Sequence, residues 1–367
     1  MFRFGAIVVA VAIAALPHPA SAAEGVRSVK ERYQLEEAAT PVRERAGWKK
    51  PQRILLVGPS SEAIEQLKAE APGVQFVRAA NSVEAQALAV NVDAVIGACT
   101  AGILEAGKSI GWVQVFSAGV EGCVDIPAVK ERGILVTNMQ RIMGPAIAEH
   151  VTAMMMGLAR GLHAFIPAQG RGEWRRDAAA GKMTVVEGKT MLVVGLGGIG
   201  SEIARRGHAL GMRVIATRAS GRTGPDFVSY VGLPDELHKL ATEADVVVNA
   251  TPLTPQTTNI FDAAFFAKMK PTAYFINIAR GQSVVTSALV DALSKGRIAG
   301  AGLDVTEPEP LPADHPLWTL PNVIITPHVA ATSDLGVDAR MEVIKENVRR
   351  YASGDRMLSI VDVAKGY

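Results

Sequence analysis

The chain has 367 residues, 49% of them apolar and 20% charged, with 38 Lys and Arg against 36 Asp and Glu, a net charge of +2. That length accommodates two domains of ordinary size, each with a full core. The near balance of charge offers nucleic acid no electrostatic footprint, and the absence of like-charge runs or a fixed-period repeat sets aside acidic or basic tails and solenoids.

At the N-terminus, Arg3 precedes an apolar run from Gly5 to Leu16. Pro17 and Pro19 break the run, and Ala20-Ser21-Ala22 supplies small residues for cleavage. This three-part pattern predicts an export signal over 1–22, and so an exported or periplasmic protein, or a cytoplasmic one if the start is misassigned. The run is shorter than the roughly 20 residues a membrane span needs, and no later stretch reaches that length. Residues 23–52 are polar and broken by Pro41, Gly47 and Pro51, which predicts an N-terminal extension, partly helical around 29–38.

From Arg53 onward, short apolar runs alternate with amphipathic stretches. Runs at 54–57, 74–77, 94–96 and 112–116 predict strands, and 61–69, 82–89 and 126–132 predict helices. Apolar runs without polar alternation suit strands buried on both faces of a parallel sheet. A helical segment rich in Ala and Met follows over 145–163, then a polar stretch over 169–182. A second alternating set predicts six strands at 191–194, 213–217, 246–249, 274–278, 299–304 and 323–326, with helices such as 201–210 and 287–295 between them. A last helix, 333–352, is placed to pack back on the first domain. Cys99 and Cys123 are expected to be partly buried thiols, with pairing left open; they lack metal-ligand spacing, and no metal site is expected.

The first strand of the second set runs into Gly195-Leu196-Gly197-Gly198-Ile199-Gly200, and a helix ending before Gly211 runs out. In that strand–turn–helix context the G-x-G-x-x-G spacing points to a dinucleotide pyrophosphate held at a helix N-terminus. About 20 residues on, where an NAD site carries a carboxylate for the ribose, stand Thr217 and Arg218, with Arg222 nearby. A guanidinium suits a 2′-phosphate, so NADP is favoured, with NAD possible.

The stretch from Val248 to His328 carries a family likeness. Asn249-Ala250-Thr251-Pro252-Leu253-Thr254, Asn277-Ile278-Ala279-Arg280-Gly281, Gly302-Leu303-Asp304-Val305 followed by Glu307-Pro308-Glu309-Pro310, and Thr326-Pro327-His328 stand in order. Earlier come Ser117-Ala118-Gly119-Val120 and Ala148-Glu149-His150. Together these resemble the D-isomer-specific 2-hydroxyacid dehydrogenases, in particular the glyoxylate/hydroxypyruvate reductases.

The resemblance implies an α/β protein of two doubly wound parallel-sheet domains. A flavodoxin-like substrate domain would span 53–150 and be completed by 328–367, and a Rossmann cofactor domain would span 151–327. It implies Arg280, Glu309 and His328 as the catalytic set, with Glu309 preferred over Glu307 because the family places its acid five residues after the LDV aspartate. Ala118, Gly119, Val120 and Arg280 would hold the substrate. Gly195, Gly197, Gly198, Ile199, Gly200, Thr217, Arg218, Thr251, Pro252, Thr257, Ala279, Asp304 and His328 would line the cofactor, and the protein would be a homodimer acting on a small molecule.

The chemistry fits the residue types. Oxidising a 2-hydroxy acid removes a hydride from C2 and a proton from the hydroxyl. Histidine suits the proton, a carboxylate on its other ring nitrogen fixes the tautomer, and a forked Arg suits the substrate anion. Thr306 stands where the family often has an aromatic residue, and the 117–120 loop has one Gly where some members have two. A dehydrogenase of another small anion such as formate, and a non-catalytic NAD(P)-binding sensor, are the alternatives.

Overall fold

The computed structural model describes residues 28–58, 61–181, 183–334 and 336–367; the export signal expected at 1–22 lies outside them. Five strands, β1 (Arg53–Val57), β2 (Gln75–Ala79), β3 (Ala94–Ile96), β4 (Trp112–Gln114) and β5 (Leu135–Thr137), form one parallel sheet in the order β2-β1-β3-β4-β5. Seven more, β6 (Thr190–Val194), β7 (Arg213–Thr217), β8 (Val228–Gly232), β9 (Val246–Asn249), β10 (Tyr274–Asn277), β11 (Gly300–Leu303) and β12 (Val323–Ile325), form a second in the order β12-β11-β10-β9-β6-β7-β8. The first order is flavodoxin-like and the second is that of a dinucleotide-binding sheet. The strand order reverses between β6 and β9, opening a crevice at their carboxyl ends, where such sheets bind ligands.

Burial explains which strands the sequence announces. Every residue of β6, β9, β10 and β11 is buried, as a sheet covered by helices on both faces requires. The two strands beyond the expected ten, β5 and β8, give weaker signals. β5 has only three residues, and β8 is an edge strand whose Ser229 and Tyr230 face solvent.

The expected helix at 145–163 is two helices, Gly144–Ala159 and Leu162–Gly170. Gly161, at φ +70°, takes the left-handed turn that ends the first. The first starts with Pro145 in its opening turn, where a missing N–H costs nothing. Its Ile147 and Met155 belong to one core that runs from Ile54 and Trp112 of the first sheet to Val193 and Val248 of the second. A separate core on the far face of the second sheet is built on Phe261, Phe265, Phe266 and Phe275.

The last helix, Gly336–Ser353, packs on the helix Ser61–Glu70 of the first sheet. Its buried Asn347 donates to Gln114 Oε1 at 2.9 Å and to the Leu358 carbonyl at 3.1 Å. Among its described residues the N-terminal extension has an α-helix at Val29–Tyr33, capped by Ser28 and followed by left-handed Gln34, and a 3-10 helix at Val42–Glu44. Cys99 and Cys123, expected as thiols, are instead joined in a disulfide, their Cα atoms 5.3 Å apart. A sequence separation of 24 conceals that proximity until the ends of β3 and β4 lie side by side. Among the described residues no helix is long and apolar enough to cross a membrane, and no group of three metal-ligating side chains is present.

Candidate active site

The glycine turn follows β6. Gly195 has φ +97°, and a Cβ there would lie 2.7 Å from the Ala250 carbonyl oxygen. Its N–H and that of Leu196 both donate to the Thr217 carbonyl, at 3.1 and 3.0 Å, which locks the turn to the end of β7. Gly200 sits against the Gly195 carbonyl with no room for a side chain. Gly197 differs: it caps the helix Gly198–Ala209 without a side-chain bond, and nothing lies within 4 Å of where its Cβ would be. Open space beside uncapped N–H groups fits a pyrophosphate, so the residues present suit a dinucleotide. Gly198 and Ile199 open the helix and would present those N–H groups.

Thr217 is buried, and its carbonyl is the part that serves the turn. Arg218 is held in place, donating from Nε to Ser220 Oγ at 2.8 Å and from Nη1 to the Thr223 carbonyl at 2.9 Å. Arg222 is engaged elsewhere, 2.6 Å from Glu236 and 2.9 Å from the Tyr230 hydroxyl. The Tyr230 hydroxyl and the Leu233 N–H, with Arg222, hold the Glu236 carboxyl down to about 2, so it stays charged at neutral pH. Arg218's hydrogen bonds thus go to a hydroxyl and a carbonyl, whereas Arg222 is already compensated by a carboxylate.

Three parallel neighbours, β10, β11 and β12, end at the same edge. Arg280 follows β10. Behind it lies a buried polar set: Asn249 donates to Asn277 Oδ1 (3.0 Å) and Ser283 Oγ (2.7 Å), while Asn277 Nδ2 and Ser283 Oγ donate to the Arg280 carbonyl at 3.0 and 2.7 Å. Asn277 Oδ1 also takes the Ala279 N–H at 3.1 Å. Such a set is satisfied and rigid, so it fixes the backbone from which Arg280 projects. Ser283, part of this set, carried no signal in the sequence. Asn249 also anchors the following loop by accepting from Thr251 N (3.1 Å) and Oγ1 (2.8 Å). Thr257 Oγ1 closes that loop on the Pro252 carbonyl at 2.6 Å.

Asp304 follows β11 and is 2% exposed. Its carboxylate accepts from Thr326 Oγ1 at 2.6 Å and from the N–H groups of Val329 and Ala330 at 3.0 Å each, and its carbonyl takes the His328 N–H at 2.8 Å. His150, expected as structural, joins this group through Nε2 to Thr326 Oγ1 at 2.9 Å. The cluster holds His328 in a left-handed conformation, φ +53°, and thus aims its ring. That ring meets Glu309, Nδ1 to Oε1 at 2.6 Å. Glu307 instead uses its carbonyl to accept from Thr286 at 2.8 Å, so geometry places Glu309, five residues past Asp304, on the histidine. With Nδ1 engaged, Nε2 is the ring nitrogen left to face a substrate.

The 117–120 loop comes from the other sheet, after β4. Asn138 Nδ2 donates to the Ala118 carbonyl at 2.7 Å and Ser117 Oγ to the Gly119 carbonyl at 2.6 Å, which fixes the loop. Val120 is buried and caps the helix Glu121–Val124. Arg280 reaches across to this loop: its Nη2 lies against Gly119 and its Nε pairs with Glu121. The structure thus brings the loop and Arg280 together, and Glu309 with His328. Asn138 and Glu121 were missed because their contacts are long-range.

The family model for D-isomer specific 2-hydroxyacid dehydrogenases, NAD binding domain, matches residues 152–330. A glyoxylate/hydroxypyruvate reductase A of Photorhabdus laumondii is 33% identical over 260 residues, covering 70% of this chain and 81% of that protein. Among solved structures, a D-isomer specific 2-hydroxyacid dehydrogenase family protein of Aeromonas salmonicida is 31% identical with a TM-score of 0.73, covering 86% of this chain and all of that one. An NADPH-dependent glyoxylate/hydroxypyruvate reductase of Sinorhizobium meliloti, in complex with NADP and sulfate, is 27% identical with the same TM-score, again over 86% of this chain and all of that one. The crevice, the glycine turn and these likenesses agree: the chain belongs to the NAD(P)-dependent D-isomer specific 2-hydroxyacid dehydrogenase family.

Proposed function

We propose that this protein moves a hydride between NADP(H) and a small 2-oxo acid/D-2-hydroxy acid pair, with glyoxylate or hydroxypyruvate as the kind of substrate. The observation that carries this reading is the 2.6 Å contact of His328 with Glu309, at the sheet edge that also presents Arg280. Bound at the glycine turn, the cofactor supplies or accepts the hydride at its nicotinamide ring. In reduction, Arg280 holds the substrate anion and draws charge toward the keto oxygen, while His328 Nε2 delivers the proton. In oxidation His328 takes the hydroxyl proton, and Glu309 keeps the ring oriented and offsets the positive charge it acquires. Ala118, Gly119 and Val120 close on the substrate from the other sheet, and closure excludes water. Asp304, anchored as described, serves the nicotinamide end of the cofactor, with Thr251, Pro252, Thr257 and Ala279 lining its path.

Arg218 supports NADP over NAD because it is positioned and uncompensated by any carboxylate among its bonded partners. The Cys99–Cys123 disulfide supports work in an oxidising compartment after loss of 1–22. Exposed Leu162, Ile166, Trp174, Met183 and Val185, close together in sequence, support a homodimer through this segment. The proposed division falls near residue 150 and again near 328.

The test is NADPH and NADH consumption with a panel of 2-oxo acids, glyoxylate and hydroxypyruvate first. Turnover with a preference for NADPH is expected. No oxidation of either cofactor with any acid refutes the reading, and a preference for NADH refutes the role of Arg218. N-terminal sequencing of the mature protein and light scattering check export and the dimer.

A further inference from the structure

Glu121 is not among the residues the family likeness singles out, yet it makes the ionic contact that joins the two halves of the site. Its carboxylate takes the Arg280 Nε–H. Arg280 Nη1 donates to the Ala279 carbonyl at 2.6 Å, and Nη2 lies against Gly119. The two side chains are only 26% and 28% exposed, so the pair is largely shielded from solvent. A guanidinium is a rigid plane with five N–H groups. With Nε and one Nη1 hydrogen engaged, the plane has one orientation, and the two Nη2 hydrogens lie beside the substrate loop, where Nη2 approaches Gly119.

Glu121 is itself held. It opens the four-residue helix Glu121–Val124, too short to be stable alone. Two residues on, buried Cys123 is bonded to Cys99, which lies just past the end of β3. The bridge ties the helix that carries Glu121 to the frame of the first sheet. Cys99 is only partly buried, so a small reductant reaches it.

We propose that Glu121 is a positioning residue that sets the plane of Arg280, and that the Cys99–Cys123 bridge holds Glu121 there and makes substrate handling sensitive to reduction. The proposal rests on Arg280 being the substrate clamp. The reducing step balances with a dithiol: its thiolate attacks the bridge, the S–S bond breaks, Cys99 and Cys123 each end as thiols, and the dithiol closes into its own cyclic disulfide. Two electrons and two protons pass to the protein, and no bond to substrate forms. The freed helix then no longer holds Glu121 against Nε, and Arg280 loses its single orientation.

The experiment uses the full chain, oxidised or treated with dithiothreitol, with the bridge verified by mass spectrometry. Oxalate, a planar anion that cannot be reduced, is the binding probe, read by calorimetry beside 2-oxo acid kinetics. Glu121→Gln is expected to weaken oxalate binding and kcat/KM for the 2-oxo acid by about tenfold, with NADPH affinity unchanged. Glu121→Asp recovers part of the loss because the charge is kept. Dithiothreitol lowers both readouts in the wild type and adds nothing in Glu121→Gln, since the two act through one contact. Cys99→Ser matches the reduced wild type. The proposal is overturned if Glu121→Gln binds oxalate as the wild type does, if the wild type binds none, or if dithiothreitol lowers both proteins by the same factor. A wild type that binds oxalate but turns over no 2-oxo acid refutes the proposed activity, and the oxalate affinities still decide the positioning claim.

Discussion

The carboxyl edge of the seven-stranded sheet carries a candidate reacting or binding group after β6, β7, β10, β11 and β12; the five-stranded sheet contributes the loop after β4, with the bridged Cys99 after β3. Both sheets are parallel and buried at their centres, and each has a switch point. They differ in how their site residues are held. Arg280 and His328 stand on backbones fixed from within their own sheet, by Asn249, Asn277 and Ser283 in one case and by Asp304 in the other. The substrate loop is held by Asn138, by the disulfide and, across the cleft, by Arg280. On the proposed reading, one half would supply the chemistry from a rigid edge and the other a grip set by long-range ties.

The sharpest way to break that division is to remove the proton carrier. His328→Ala is expected to lower kcat by roughly 10²- to 10⁴-fold while NADPH still binds, as measured by stopped-flow hydride transfer and fluorescence titration. Next is the clamp. Arg280→Gln removes the group that develops charge contacts with the substrate, and a loss of about 10²- to 10³-fold in kcat/KM is expected from steady-state rates.

Two glycines of the same turn separate binding from folding. At Gly197 a methyl group meets nothing in the protein, so Gly197→Ala keeps its melting temperature and loses cofactor affinity by about tenfold in a titration. At Gly200 a methyl group meets the Gly195 carbonyl, so Gly200→Ala is expected to lose about 1–3 kcal/mol in denaturant unfolding. Equal behaviour of the two would show that the space beside Gly197 is not the cofactor's.

A further contrast lies at the phosphate end, between two arginines. Arg218→Ala should shift the NADPH/NADH ratio of kcat/KM by about 10- to 100-fold toward NADH, the range for a charge-assisted hydrogen bond. Arg222→Ala should shift it far less, because Glu236 already balances that cation. Glu236 has a folded value near 2 against an ordinary value of 4.5, so the stability it lends is complete above that ordinary value and fades as pH falls through about 2. Acid unfolding of Tyr230→Phe, monitored by circular dichroism, should begin at a slightly higher pH, because the hydroxyl bond that holds Glu236 down is gone.

The two sheets also differ in how far their sites are legible in the sequence. The second sheet's site is more legible: the turn Gly195 to Gly200 is announced by its own glycines between a strand and a helix, and Arg280, Glu309 and His328 lie in short segments whose order carries the family likeness. The preference for Glu309 over Glu307 comes from the family likeness, which places the acid five residues after Asp304, and Glu309 is the carboxylate that meets the His328 ring at 2.6 Å. The first sheet's contribution is less legible. Glu121 meets a residue 159 positions away, and Cys99 a residue 24 away, through contacts that exist only after the sheets form. Strands β5 and β8 escaped for a different reason: each ends its sheet, and the exposed residues of β8 leave little apolar pattern to find. Ser283 was hidden because a buried hydroxyl that satisfies a backbone carbonyl resembles any loop serine in sequence.

On the proposed reading His328, oriented by Glu309, gives a proton to the keto oxygen of a 2-oxo acid held by Arg280, with NADPH as the hydride source when bound. The most direct test of that reading is a single-turnover experiment that mixes NADPH-loaded protein with glyoxylate and follows the loss of NADPH absorbance in wild type and His328→Ala. A fast wild-type transient that slows by two orders of magnitude or more in the variant, at equal NADPH occupancy, is the expected result. Equal rates in the two proteins, or no transient in the wild type with glyoxylate or hydroxypyruvate, would contradict it.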